Sequence, residues 1–294
     1  MDSLKRGWAF LKQSWQMAMA DKDLIKPSIY ALFAGFIVTL ILVIPIGFIS
    51  FLLQNTKVGN VIIYILGAIL IFVQYMVGYI FSAMTAYLIY GYLAEGDGRM
   101  DKAWAIVRRD GLDIASLAAA STAVNLLKSA VSGKGKSGGR NFLAGLIDTV
   151  WTEAAFLILP AMVIEDINLK DGVKRAAQII KDNLLLVGIS TVGVKTITGL
   201  IGFLLGILGI GLGLGVGLGI VSVSQGSVLG LVSGVTLGIL VATPFIMVAT
   251  VISTYTATAY HTCLYLWARD VERARLAGQT GEVTAPSPLA TVLQ

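Results

Sequence analysis

The sequence predicts an all-α polytopic membrane protein: six transmembrane helices as three hairpins, each preceded by a cytoplasmic amphipathic helix. Three observations carry that prediction. The 294 residues are 56% hydrophobic and only 13% charged, about half the charge of a soluble domain. Several uninterrupted apolar runs reach the length of about 20 helical residues that crosses a hydrocarbon core of about 30 Å. One apolar stripe recurs three times, each time just ahead of two such runs. The mean hydropathy of +0.82 agrees.

Residues 3–20 form the first striped segment. Leu4, Trp8, Leu11 and Trp15 share a helical face, with Lys5, Lys12, Gln13 and Gln16 opposite and Asp2 or Ser3 as a cap. Two tryptophans beside lysines suit a helix lying in the lipid interface. The first span is 28–53, bounded by Lys26 and Lys57 with Pro45 as a kink point. A polar turn leads to the second, 61–94, which is long enough to tilt or protrude.

The stripe returns over 99–110 with Met100, Trp104, Val107 and Gly111, flanked by Arg108 and Arg109. Span three, 112–131, is diluted by Ser116, Ser121, Thr122, Asn125 and Lys128, so neighbouring helices should shield it. A Gly/Lys/Ser loop follows, and 141–164 is span four. Leu169, Val173, Ala176 and Ile180 give the stripe a third time within 168–182, with Asn168 as N-cap.

Span five is 184–208. Gly209 to Gly219 then alternates glycine with Ile, Leu or Val, a run of poor helix propensity. It reads as a loop, a re-entrant segment or an extra span. Gly226, Gly230, Gly234 and Gly238 recur every four residues, a helix-packing face that lets another backbone approach closely. The last span, 228–267, closes a single membrane domain of residues 1–277, and 278–294 reads as a disordered tail.

With six spans the termini share a side. Sixteen of the 22 Lys and Arg residues fall there, and five lie opposite (Lys57, Lys128, Lys134, Lys136, Arg140). The positive-inside rule places both termini in the cytoplasm and the protein in the cell (cytoplasmic) membrane. The first long apolar run begins only after Lys26, so the start does not read as a signal peptide.

Ionisable residues inside spans are costly and usually paired. Glu153 lies eleven residues from the cytoplasmic end of span four, and Lys195 eleven residues into span five. Antiparallel neighbours would bring them to one depth, so an intramembrane ion pair is expected, with Asp148 joining it or facing a wet cavity. His261 and Cys263, two residues apart, point to different faces and read as structural. Ala130–Ser137 (AVSGKGKS) satisfies only the loosest phosphate-loop pattern and lacks the preceding strand. Nucleotide binding is not expected. Nor is nucleic-acid binding, because no basic face carries interleaved aromatics despite the net charge of +5. With one cysteine, no Cys/His cluster and no Ser/His or paired-Asp constellation, neither a metal, a cofactor nor an enzyme activity is expected.

RGWAFLKQSWQMAMADKDLIKPSI, WTEAAFLILPAMVIED with GVKRAAQIIKDN, and YHTCLYLWARD resemble segments of an uncharacterised, domain-of-unknown-function family of bacterial and archaeal multi-pass membrane proteins. Trp8, Ser14, Trp15, Asp21, Trp151, Phe156, Pro160, Glu165 and Tyr265 match that pattern. Trp267 stands for a tyrosine and Glu153 for an apolar or small residue. The resemblance implies a multi-pass fold and no known activity. The sequence therefore favours a non-catalytic membrane protein that organises the bilayer or a membrane complex. Its interfacial anchors are Trp8, Trp15 and Trp104; its partners are lipid and either a second copy or another membrane protein. The alternative is a small transporter or channel built on glycine-broken helices with Asp148, Glu153 and Lys195.

Overall fold

A computed structural model describes residues 2–53, 56–132, 138–182, 184–225, 227–278 and 283–293; within its helices the side chains at 2–3, 138–141, 184–192 and 291–293 are left aside. Among the described residues there are ten α-helices and no strand. They are α1 (Asp2–Ala20), α2 (Lys26–Leu52), α3 (Lys57–Glu95), α4 (Met100–Arg109), α5 (Gly111–Ser132), α6 (Gly138–Glu165), α7 (Leu169–Asp182), α8 (Leu184–Val223), α9 (Val228–Leu276) and α10 (Ser287–Leu293). Six of the long helices are long and apolar enough to cross a membrane.

Local signals set the boundaries. The Thr56 and Ser227 hydroxyls accept from the Gly59 and Gly230 amides and open α3 and α9. Gly96, at φ 79°, closes α3 in the left-handed conformation that glycine adopts without strain. The Asn168 side chain accepts from the Asp171 amide at 3.1 Å to open α7.

Two expectations change here. The Gly209–Gly219 run is neither a loop, a re-entrant segment nor an extra span: it lies wholly within α8, which continues to Val223. Nor is α9 interrupted, with Pro244 inside it. The helices are thus not glycine-broken. Their weak propensity is overridden by packing, since α8 and α9 lie against each other along the glycines. The second change is the tail. Part of 278–294 is α10, whose Leu289 is fully buried and whose Ser287 hydroxyl donates to the Gln13 amide oxygen. The phosphate-loop-like residues 133–137 and Gly226 lie outside the described residues.

Consecutive long helices pack as antiparallel pairs, α2 on α3, α5 on α6 and α8 on α9. Gln74 of α3 donates to the Gly35 carbonyl and the Thr39 hydroxyl of α2. The main core gathers at one end of these pairs. Met84, Ile114, Ile158 and Tyr260 meet there with Phe10 of α1 and Leu289 of α10. Away from that end, large apolar side chains such as Phe36, Phe51, Tyr64, Phe203 and Val232 are exposed. An apolar surface of that kind is not left facing water.

The three striped helices share one packing rule. In each, the buried row lies one residue before the predicted stripe: Gly7 and Ser14 in α1, Ala103 and Asp110 around α4, Gly172 and Ile179 in α7. The stripe's central residue (Leu11, Val107 or Ala176) is buried with them. A small residue at the first position lets the backbone approach: a Cβ on Gly7 would collide with the Gly193 carbonyl of α8, and one on Gly172 would press on Met162 at 3.1 Å. The next residue turns outward, with Trp8 at 55%, Trp104 at 40% and Val173 at 39% exposure. Trp15 is half-buried.

The pairs reach unequally far from a common level. Tyr79 of α3 and Trp151 of α6 both bond the Ser121 hydroxyl of α5, at 2.7 and 2.9 Å. Two residues past Trp151, Glu153 meets Lys195 and His261. At about 1.5 Å per residue, α3 runs about 33 Å from Tyr79 to Lys57, α5 about 17 Å from Ser121 to Ser132, and α8 about 42 Å from Lys195 to Val223.

Candidate functional site

Two ionisable groups from other long helices, Lys195 and His261, converge on Glu153 of α6. Its Oε1 accepts from the Lys195 ammonium of α8, and its Oε2 lies 3.0 Å from Nε2 of His261 on α9. Exposure falls across the cluster, from 46% for the lysine side chain to 15% for the glutamate and 2% for the histidine. The other imidazole nitrogen, Nδ1, is 2.7 Å from the Ala257 carbonyl one turn back. Phe156 stacks on the imidazole at a centroid distance of 4.6 Å, with the planes 12° apart.

Three helices that are distant in sequence thus meet at a single carboxylate. A largely buried carboxylate is tolerable only when its polar atoms are satisfied. Here both carboxylate oxygens have a partner. Glu153 and Lys195 are brought together as their equal distances from the helix ends suggested.

Asp148 does not join them. It pairs with Lys128 of α5 at 2.8 Å, on the side of α6 that faces its hairpin partner. Five residues separate it from Glu153, and that spacing turns it away from α8 and α9. The cluster is therefore Glu153, Lys195 and His261, and of the two placements expected for Asp148, joining the pair is excluded. Sequence spacing held no signal for His261, since its meeting with Glu153 depends on how α9 is rotated against α6. Cys263, two residues further on, is fully buried.

The glycine face of α9 is occupied. A Cβ on Gly234 would lie 2.7 Å from the Gly217 carbonyl, and one on Gly238 2.7 Å from the Gly213 carbonyl, so the two backbones touch. Gly230 sits under the turn, against Ser224 and the capping hydroxyl of Ser227. On α8 every second glycine takes part: Gly209, Gly213 and Gly217 face α9, whereas Gly211, Gly215 and Gly219 face open space. A groove of about 340 Å³ runs beside the contact, lined by Leu214, Leu218, Leu231 and Val235 among others.

At the core end, salt bridges tie the striped helices to the long ones. Arg175 of α7 bridges Glu165 of α6 and Glu272 of α9, and Arg109 bridges Asp110 and Asp166. The hydrogen bond and charge of Lys174 hold the Asp171 carboxyl below its ordinary range. Among the described residues, no cluster of three or more His, Cys, Asp or Glu could hold a metal ion.

The described residues define an all-α protein with six helices long and apolar enough to cross a membrane. Set against protein-family models, curated proteins and solved structures, the chain has no significant match.

Proposed function

We propose that this is a non-catalytic integral membrane protein of the cytoplasmic membrane that organises the bilayer around it. Its long helices cross as three hairpins, and α1, α4 and α7 lie at the cytoplasmic interface with both termini on that side. The observation that carries this reading is the unequal reach of the helix pairs from one shared level. A hydrophobic surface of uneven height makes the surrounding lipid thin at one flank and thicken at another, at a cost of fractions of a kcal/mol per Å. Lipids sort to lower that cost, so the short α5–α6 flank gathers short acyl chains and the long α8–α9 flank gathers long ones.

Fluorophores on Leu146→Cys of α6 and Leu204→Cys of α8, both exposed positions, test this in vesicles of mixed chain length. Energy transfer to a labelled short-chain lipid should be stronger from 146, and transfer to a long-chain lipid stronger from 204. Equal transfer from both sites would remove the basis for the proposal.

The second reading, a small transporter or channel, draws support from the Glu153–Lys195 ion pair inside the long helices. It predicts ion or proton flux in vesicles that Glu153→Gln abolishes. The organising role predicts no flux.

A further inference from the structure

The Glu153–His261 contact contains a proton-counting problem. Both imidazole nitrogens face acceptors: Nδ1 the Ala257 carbonyl at 2.7 Å, Nε2 the Glu153 carboxylate at 3.0 Å. A neutral imidazole has one N–H. With Glu153 ionised, either neutral tautomer therefore leaves a ring lone pair against an oxygen lone pair, in a place where the ring has almost no access to water. One added proton, on Nε2 or on Oε2, satisfies both contacts.

We propose that Glu153 and His261 together bind one exchangeable proton, and that this proton latches α9 to α6 at the root of the α8–α9 pair. The inference stands independently of the bilayer-organising role.

The surroundings suit a proton that can leave as well as bind. Lys195 on Oε1 adds a positive charge beside the shared proton. The protonated cluster then carries a net positive charge, which apolar surroundings disfavour. The two hydrogen bonds and the parallel Phe156 ring hold it there. Once the proton is lost, the cluster is neutral but one contact sets acceptor against acceptor: Nδ1 against Ala257 within α9, or Nε2 against Glu153 across to α6, and the second weakens the tie between the helices.

The groups facing the imidazole are few. Glu153 and Phe156 come from α6, and Lys195 from α8 lies across the carboxylate. On α9 itself Tyr260 lies edge-on to the ring, and α1 meets that tyrosine with Phe10. Among the described residues, no ion pair or side-chain hydrogen bond joins α2, α3 or α10 to Glu153, Lys195 or His261. Backbone packing between α6 and α8 is slight, and among the described residues Glu153 ties α6 to α8 through Lys195.

The chain has a single histidine, which makes the test direct. Protein labelled with ¹⁵N-histidine, reconstituted in lipid nanodiscs, reports the protonation of both ring nitrogens in one spectrum without assignment. Spin labels on Val150→Cys of α6 and Val248→Cys of α9 report their separation; the native Cys263 is fully buried and gives no background.

As pH rises, the wild-type ring should go from two N–H groups to one in a single step, with the label distance lengthening in the same step. Glu153→Gln supplies its own N–H to a neutral ring while its carbonyl still accepts from Lys195. In that variant the ring should stay neutral and the distance constant over the same range. A wild-type ring that keeps one state throughout, or one that changes identically in Glu153→Gln, would overturn the shared proton. A Glu153-dependent change with no change in distance would overturn the latch.

Discussion

Asp21 shows how much a single side chain can fix in this fold. One carboxylate oxygen accepts from the Asp23 amide at 2.9 Å and opens the short turn after α1. The other accepts from the Gly98 amide at 2.7 Å, 77 residues along the chain, and ties that turn to the α3–α4 connection. A Cβ on Gly98 would press on the ends of the Leu24 and Asp21 side chains at 2.8 and 2.9 Å, so a side chain there would have to displace the carboxylate that binds its amide. Asp21→Ala leaves two part-buried amides without a partner and should cost about 1–3 kcal/mol. Asp21→Asn keeps an acceptor and should cost less. Thermal unfolding of the purified variants in detergent checks both, and equal losses would mean that the oxygen contacts do not matter. At this scale the sequence was legible where position along a helix sets depth. Equal counts from two helix ends set Glu153 opposite Lys195, and the structure pairs them. His261 and the Asp148–Lys128 pair were not legible, because each depends on the rotation of one helix about its axis against another. Distance from a boundary says nothing about that rotation.

Among the elements, α8 is the one whose character the sequence disguised. Alternating glycine looks like a helix breaker when propensity alone is weighed, at about 1 kcal/mol per glycine. An alternation of two, however, gives two rows of spacing four. One row closes on Gly234 and Gly238 of α9, where carbonyls and Cα atoms meet without side chains between them. That contact, invisible in a single segment, makes the helix. Gly238→Val forces a Cβ to within 2.7 Å of the Gly213 carbonyl, backbone that cannot swing aside. It should destabilise by more than the about 1–3 kcal/mol of an ordinary overpacked core. Gly211→Val and Gly215→Val, on the open row, should be close to neutral or mildly stabilising. Melting temperatures of the three variants decide it. If Gly211→Val were the damaging one, the open row would be the packed one. The striped helices make the converse case: their periodicity was plain, but the buried row is offset by one residue. Hydrophobicity ranks Trp8 above Gly7, whereas close approach to α8 selects the glycine.

For the whole molecule, length and charge make opposing demands. No Asp, Glu, Lys, Arg or His occurs between Lys195 and His261, so the α8–α9 pair calls for hydrocarbon along arms of about 42 Å in α8 and about 50 Å in α9. The α5–α6 pair reaches only about 17–20 Å from the same level, yet Lys134 and Lys136 lie in the sequence joining it and Arg140 in the first turn of α6. A base at the bilayer centre costs about 2.5–3.5 kcal/mol on the insertion scale, whereas mismatch costs fractions of a kcal/mol per Å. Three bases outweigh roughly 10 Å of mismatch by this comparison. The α5–α6 connection should therefore reach the outer surface, with the bilayer thinned around it and the α8–α9 arms tilted. Cysteines at Thr56, Ser132 and Gln225 should all react with an impermeant thiol reagent added outside intact cells, and cysteines at Lys102 and Asp182 only after lysis. If Ser132→Cys stays unreactive while Thr56→Cys and Gln225→Cys react, the middle pair stops inside the membrane and length has prevailed over charge. The bilayer would then meet two crossing pairs and one half-inserted pair.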